Sequence, residues 1–338
     1  MKKEIRIDEL RVMMLDALAL RGIGSEDADF IVDDFLDAEL EGHKTHGVSK
    51  FLTIDIGLSG REGSIEIVSR TGGHAKIDGH RELGHIAARQ AAALSAELAK
   101  EHGVGLVALT NVSRYARLVP YSRLIAERGC IGIVTNNGGP AHVVPFGGSA
   151  PMFGTNPLSF GFPQGEKPPL LFDFATAQGV WGELRQAIVE ERSLPERTFL
   201  DAAGAFTTDP QRVQGVLPFG GARGAALCMA LEILTGAFVG AKMGGEIRKG
   251  CKVTRLHTAD GRVQSLSYVQ NGEEHTVEGD VFISSMPVKD LVGGMNDVPE
   301  DMSREERLPM LKQAQIIFGQ PGLREIAQCE NLHWIQMS

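Results

Sequence analysis

The sequence predicts an α/β protein with N-terminal helices, a mixed central sheet and a C-terminal β-meander. Three observations carry this reading. Apolar residues recur at helical spacing between Asp8 and Gly42. Helix-like and strand-like stretches then alternate from Leu83 to Asn136. From Gly244 onward the texture changes to short strand-like runs separated by turn residues.

Taken in order, Leu10, Met13, Met14, Ala17 and Leu18 mark one face of a helix from Asp8 to Arg21, with Gly22 as its stop. Ser25 is expected to cap a second helix with Glu26 and Asp27 in its first turn. Ile31, Val32, Phe35 and Ala38 form its apolar face and Gly42 ends it. SIEIVS and HAKID, joined by Thr71, Gly72 and Gly73, read as a hairpin. Leu83 to Glu101 is Ala-rich and periodic, hence a helix, and GVGLVALT, from Gly103 to Thr110, reads as a buried strand. A helix over 120–128 and a strand CIGIVTN repeat the alternation. Gly138 to Pro157 reads as a long loop that delivers the strands LSFGFP and LLFDFAT. Gly179 to Arg192 and Gly221 to Phe238 are the last helices, the second nearly apolar all round and therefore expected to be buried. The meander follows as CKVTRLHT, RVQSLSYV and HTVEGDVFISSM, with turns at Ala259-Asp260-Gly261 and Asn271-Gly272. The expected divisions are a body over 1–243, a β-rich segment of different character over 244–298 and an unassigned tail over 299–338.

Composition narrows the function classes. With 43% hydrophobic and 23% charged residues, the 338-residue chain can bury a large core. A net charge of -9 gives no basis for a nonspecific grip on nucleic acid, so small-molecule chemistry is the better default. Cys130, Cys228, Cys251 and Cys329 form no CxxC pair, which fits a reduced, cytoplasmic setting rather than a zinc or dithiol site. Acidic and polar residues interrupt MKKEIRIDEL before any signal-peptide core could form, and no apolar run reaches the roughly 18 residues of a membrane span.

His43 and His46 stand in EGHKTHGVSKF, just past the second helix. They read as a metal-binding pair, a surface pair, or a loop carrying a general acid. An imidazole with an ordinary pKa near 6.5 can donate a proton to a nascent alkoxide and be reprotonated. Asp173 and Asp201 are carboxylates that could orient an imidazole, whereas Asp209 before Pro210 reads better as a turn or cap. PFGGSAPMFGTNP and LPFGGARGAAL place glycines where they could serve tight packing or phosphate binding. The second leads into a helix whose free amides, with Arg223, could hold an anion. Neither segment matches GxGxxG after a strand, so a Rossmann site is not supported.

The ordered series AELEGHKTHGVSKF, LTNVSRYARL, CIGIVTNNGGP, PFGGSAPMFGTNPLSFGFP, LLFDFATAQGVWGE, LPERTFLDAAGAFTTDP and LPFGGARGAALCMALEILTGAFVG resembles the type 2 malate/L-lactate dehydrogenase family over about residues 8–242. The resemblance implies a non-Rossmann α/β fold, NADH or NADPH as cofactor, a small carboxylate substrate of the 2-hydroxy acid or cyclic imino acid kind, and a homodimer. By position it makes His46 the proton donor and acceptor, with Thr45 where many members carry Ser. Lys50 stands where an arginine commonly holds the substrate carboxylate, keeping the charge without the bidentate fork. Asp201 matches the carboxylate that pairs with the catalytic histidine in some members. Asp173, Phe174, Ala175 and Thr176 match the segment that contacts the dinucleotide, and Arg223 with Gly224 matches its Lys-Gly. Arg114 occupies the place of a second active-site histidine, where it could bind a carboxylate or mark altered chemistry. Residues 244–298 resemble instead a segment of FAD-dependent amine-oxidase-like proteins, without the GxGxxG turn that holds the flavin pyrophosphate. The alternatives to the dehydrogenase reading are therefore a flavin-linked oxidoreductase and a catalytically inactive dehydrogenase-like binding protein.

Overall fold

A computed structural model describes residues 4–137, 139–241, 252–259, 262–270, 272–278, 281–282 and 332–333. The chain divides into two compact units, the first made of residues 1–137, 156–175 and 233–242, the second of the remainder.

The first unit opens with α1 (Ile7–Ala19), α2 (Ser25–Leu40), and the short α3 (Val48–Phe51) and α4 (Ile54–Leu58). Met14 and Leu18 of α1 meet Ile31, Val32 and Phe35 of α2 in one core cluster, which Phe51 and Ile54 extend. The apolar stripes thus face each other, and excluding them from water drives this association. Strands β1 (Glu66–Thr71) and β2 (His74–Asp78) form the expected hairpin. Helix α5 (Gly84–His102) crosses to β3 (Leu106–Thr110), which pairs parallel with β2. Ala91, Leu94 and Leu98 of α5 pack over Ala75 and Ile77 of β2. Ala88, Ala92 and Ala96 of the same helix meet Tyr121 and Ile125 of α6 (Val119–Glu127). Strands β4 (Gly132–Thr135), β5 (Leu158–Gln164) and β6 (Lys167–Phe174) make an antiparallel sheet against which α6 lies.

In the second unit, α7 (Trp181–Val189) precedes a sheet of β7 (Phe199–Asp201), β8 (Phe206–Thr207) and β9 (Val213–Val216), with β7 central and both pairings antiparallel. The loop expected over 138–157 carries isolated bridges from Val143 to Phe153 and to Val216. Helix α8 (Ala222–Glu232) follows, after which a π-helical turn, Ile233–Ala237, belongs to the first unit. Strands β10 (Lys252–Ala259), β11 (Arg262–Gln270) and β12 (Glu273–Glu278) form an antiparallel meander, as the alternation and turn residues imply. The short β13 (Val281–Phe282) and β14 (Leu332–His333) pair in parallel.

Four expectations need correction. There is no single central sheet among the described residues: β1-β2-β3 and β4-β5-β6 are separate, because the chain between β3 and β4 turns away to build α6. Ser25 is the first helical residue of α2, and Gly24 is its N-cap without a side-chain bond. Strand β3 begins at Leu106 and is only half-buried, for it is an edge strand paired on one side to β2. The helix expected from Gly221 to Phe238 is not buried all round, for Leu234 is 52% and Phe238 69% exposed. Its apolar circumference exceeds what one packed face can cover.

Beneath the first unit's core lies a buried ion pair. Arg117 Nε donates to Asp34 Oδ1 at 2.7 Å and its Nη2 to the Asp34 carbonyl at 3.1 Å, with the two side chains 8% and 0% exposed. Arg117 also pairs with Glu41, and Arg123 with Asp37 at 2.7 Å. Removing one member strands a desolvated charge, so Arg117→Ala should lose about 3–5 kcal/mol of stability. A urea denaturation curve checks this, and a midpoint that barely moves would show that the pair does not hold the unit together.

Candidate active site

His46 lies in the turn that follows α2. The helix stops at Leu40, and Gly42 takes a φ of +83° that reverses the chain. The turn closes with His46 N–H donating to the His43 carbonyl at 2.8 Å. Gly47 then passes so close to α2 that a Cβ would press on Glu39, whose Cα would be 3.1 Å away. Glu39 Oε2 accepts from the Val48 amide at 3.0 Å, fastening α3 to α2. The glycine after His46 is therefore a packing requirement, and it fixes where the imidazole sits. His46 Nδ1 lies 3.1 Å from the Thr45 hydroxyl. Burial first, and then the charge of Lys50, lowers the pKa of His46 below the ordinary 6.5, while Asp34 opposes them.

Lys50 and Arg114 line one small pocket of the first unit together with Phe35, Thr53, His85 and Tyr115. Lys50 comes from α3 and Arg114 from the loop between β3 and α6. That loop lies against the start of α5 because Gly84 has no side chain. A Cβ there would sit 2.6 Å from the Ser113 carbonyl and 3.0 Å from the Arg114 carbonyl carbon. Tyr115 accepts from Asn136 Nδ2 at 2.6 Å, and burial pushes its hydroxyl up to about 12, so it remains a neutral wall of the pocket. Arg114 is exposed and makes no ion pair among the described residues, which leaves its guanidinium open to an anion.

A larger cleft of about 370 Å³ is lined by Gly22, Asp27, Arg61, Glu82 and Gln90 among others. Its charges are already matched, Arg61 to Glu82 and Asp27 to Arg89, so it offers no unspent group for chemistry.

Asp173, at the end of β6, accepts at Oδ2 from the amides of Leu118 and Val119 at 3.1 and 3.0 Å, and so caps α6. Phe174 is exposed and Ala175 partly buried. In the second unit, Thr176 is buried and donates to the Thr155 carbonyl at 2.9 Å. Asp201 is committed locally: Oδ1 accepts from the amides of Ala203 and Ala205 at 3.0 Å each, and Oδ2 from Arg212 at 2.5 Å. Asp201 lies in the second unit and His46 in the first. Asp209 accepts from the Gln211 amide at 2.9 Å, the turn role expected of it.

Gly220 and Gly221 take φ values of +59° and +63° just before α8, and Arg223 is exposed in its first turn. Gly224 must be glycine, because a Cβ would stand 2.8 Å from the Phe219 carbonyl carbon. A tight glycine turn delivering free amides and an arginine to a helix N-terminus fits the pyrophosphate of a dinucleotide.

Sequence reading missed three members of the first unit's site: His85, Asp34 and Arg117. Asp34 had a visible signal, for it stands at i+3 from Ile31 on the apolar stripe of α2, where an acid is out of place.

Among the described residues the strands form several small sheets, mainly antiparallel, which sets the fold apart from the single parallel sheet of Rossmann dehydrogenases. The malate/L-lactate dehydrogenase family model matches residues 5–266, reaching into β11 and so past the end of the resemblance read from the motifs. L-sulfolactate dehydrogenase of Methanocaldococcus jannaschii is 34% identical over 281 residues, covering 81% of this chain and 75% of the relative. Delta(1)-pyrroline-2-carboxylate reductase 1 of Burkholderia ambifaria is 29% identical over 246 residues, covering 70% and 71%. The solved sulfolactate dehydrogenase from M. jannaschii superposes with a TM-score of 0.65 at 32% identity, covering 72% of each chain. The chain belongs to the malate/L-lactate dehydrogenase family. It is an enzyme, a dehydrogenase or reductase.

The packing of Gly47 on Glu39 yields a direct test. NMR titration should place the His46 midpoint below 6.5, and Gly47→Ala, by pushing the turn into water, should move it back up. A midpoint unchanged by the substitution would mean that α2 does not set the burial of the ring.

Proposed function

We propose that the chain interconverts a small 2-hydroxy acid and its 2-oxo acid, or reduces a cyclic imino acid, with His46 exchanging the proton and Lys50 and Arg114 holding the substrate carboxylate. The observation that carries this is the pairing of two cations in one pocket, one of which also acts on a desolvated His46. The nicotinamide, when bound, accepts or supplies the hydride at its C4. In oxidation His46 takes the hydroxyl proton as the substrate carbon becomes trigonal, and in reduction it returns that proton to the oxygen or nitrogen. A lowered pKa keeps the imidazole neutral, and so ready to act as base, until the pH falls beneath that lowered value. Oxidation is then retained through neutral pH, while reduction, which needs the protonated form, quickens as the pH falls.

Arg223 and the amides at the start of α8 would bind the cofactor's phosphates. The free oxygen of Asp173 and the exposed Phe174, with Ala175 and Thr176, would contact the rest of it. Asp201, whose Oδ2 accepts from Arg212, is the carboxylate we assign to orient His46, and either NADH or NADPH suits these residues. A homodimer is supported by the uncovered apolar surface of Leu234 and Phe238, and a monomeric mass by light scattering would count against it. No described helix is long and apolar enough to cross a membrane, and we place the enzyme in the cytoplasm.

The test is nicotinamide oxidation by the purified full-length chain with pyruvate, oxaloacetate, sulfopyruvate and cyclic imino acids. His46→Ala should cut turnover by roughly 10² or more and leave nucleotide affinity nearly unchanged. Arg223→Ala should weaken nucleotide binding. An undiminished rate would remove His46 from the mechanism, and unaltered nucleotide affinity would remove Arg223 from the phosphate site. Flavin absorbance in the purified protein would favour the reading based on residues 244–298 instead.

A further inference from the structure

Thr45 and His46 stand side by side in the turn after α2, and the chain around them is pinned on both sides. The His43 carbonyl accepts from the His46 amide at 2.8 Å, and the Lys44 carbonyl accepts from the Gly47 amide at 3.4 Å and from the Ser49 hydroxyl at 2.9 Å. The Thr45 hydroxyl lies 3.1 Å from His46 Nδ1 in a part-buried setting, and it has no other hydrogen-bond partner among the described residues. His46 Nε2 has none among them either. A side chain branched at Cβ is stiff at χ1, so the hydroxyl is held at the ring.

A hydroxyl can donate or accept, and the direction of this one bond decides which ring nitrogen is bare. With Thr45 donating to Nδ1, the neutral ring carries its proton on Nε2 and has no lone pair to offer there. With Nδ1–H donating to Thr45, Nε2 is bare and can take a proton. Burial and the charge of Lys50 disfavour the doubly protonated ring, so the tautomer of the neutral ring decides whether it can act as a base.

We infer that Thr45 is a positioning residue for proton exchange: its hydroxyl oxygen accepts from His46 Nδ1–H and so keeps Nε2 as the nitrogen that takes and returns the substrate's proton. This rests on the reading of His46 as the proton-exchanging group. The bond persists through the cycle. In oxidation the substrate's hydroxyl proton passes to the Nε2 lone pair as hydride leaves the adjacent carbon for the nicotinamide, and the imidazolium formed keeps its Nδ1–H on Thr45. In reduction the imidazolium gives up the Nε2 proton and returns to the same tautomer. Thr45 touches no reacting atom. It sets the tautomer from within the turn, which leaves Asp201 to act on the charge of the imidazolium.

The ring's tautomer is read by long-range proton–nitrogen correlation in nitrogen-labelled full-length protein, well above the His46 midpoint, with His46→Ala identifying its signals among those of ten histidines. Nδ1 should carry the proton in the wild type. Thr45→Val, which keeps the branched shape and loses the hydroxyl, should shift the population toward Nε2–H by roughly fivefold, the weight of one hydrogen bond. It should slow oxidation of L-malate or L-lactate by a similar factor and leave nucleotide affinity unchanged. Thr45→Ser, which restores the hydroxyl on a looser side chain, should recover the Nδ1–H form and most of the rate. An Nε2–H ring in the wild type would overturn the inference without any variant. A Thr45→Val protein with the wild-type tautomer ratio would do the same, as would a proton that moves with Asp201→Asn and not with Thr45→Val. If the tautomer follows Thr45 but no hydroxy or imino acid is turned over, the proposed function fails while the bond from Nδ1 to Thr45 stands. If turnover depends on His46 and the tautomer ignores Thr45, the inference fails and the function stands.

Discussion

A carboxylate with no exposed surface organises the first unit. Asp34 is carried on the apolar stripe of α2, among Ile31, Phe35 and Ala38, and Arg117 meets it with one bond to the side-chain carboxylate and one to the main-chain carbonyl. Pairs of this kind gain little over an apolar substitute of equal shape, because both ions must leave water. What the pair supplies is placement. Arg117 lies at the end of the loop that carries Arg114, and its third bond reaches Glu41, at the entrance to the turn that carries His46. One guanidinium thereby ties the loops of His46 and Arg114 to the same helix.

Close backbone approach does the rest of the positioning. Gly47 lets the His46 turn lie on Glu39, and Gly84 lets the start of α5 lie on the Ser113–Arg114 segment. In both places a side chain would force the functional loop outward by the width of a methyl group. Burial is the first cause of the lowered His46 pKa, ahead of the charge of Lys50. In the second unit the same device recurs at Gly224, where the absence of a Cβ lets α8 begin tightly against Phe219.

Much of the architecture was legible because local rules acted alone. The stripes of α1 and α2, the Gly22 and Gly42 stops, the hairpin around Gly72 and the meander from Lys252 to Glu278 each follow from periodicity and turn chemistry within a few residues. Reading failed where a distant partner decides the outcome. The split into separate sheets depends on where the chain between β3 and β4 is drawn, and the exposed side of the helix beyond Ala222 depends on how much of its circumference a neighbour covers.

The same division runs through the site. The sequence by itself determined the family-like order of motifs and the presence of cations at Lys50 and Arg114, and it singled out His46 as the candidate for proton exchange. These are statements about residue type and spacing, which a linear chain records. Only the tertiary structure decided that Lys50 and Arg114 share a pocket, that Asp173 caps α6 with one of its oxygens, that Asp201 is engaged by Arg212, and that His85 is enclosed beside Asp34. Burial and charge pairing belong to residues as far apart in the chain as Asp34 and Arg117. They are set by which surfaces are removed from water together, and no local pattern encodes that.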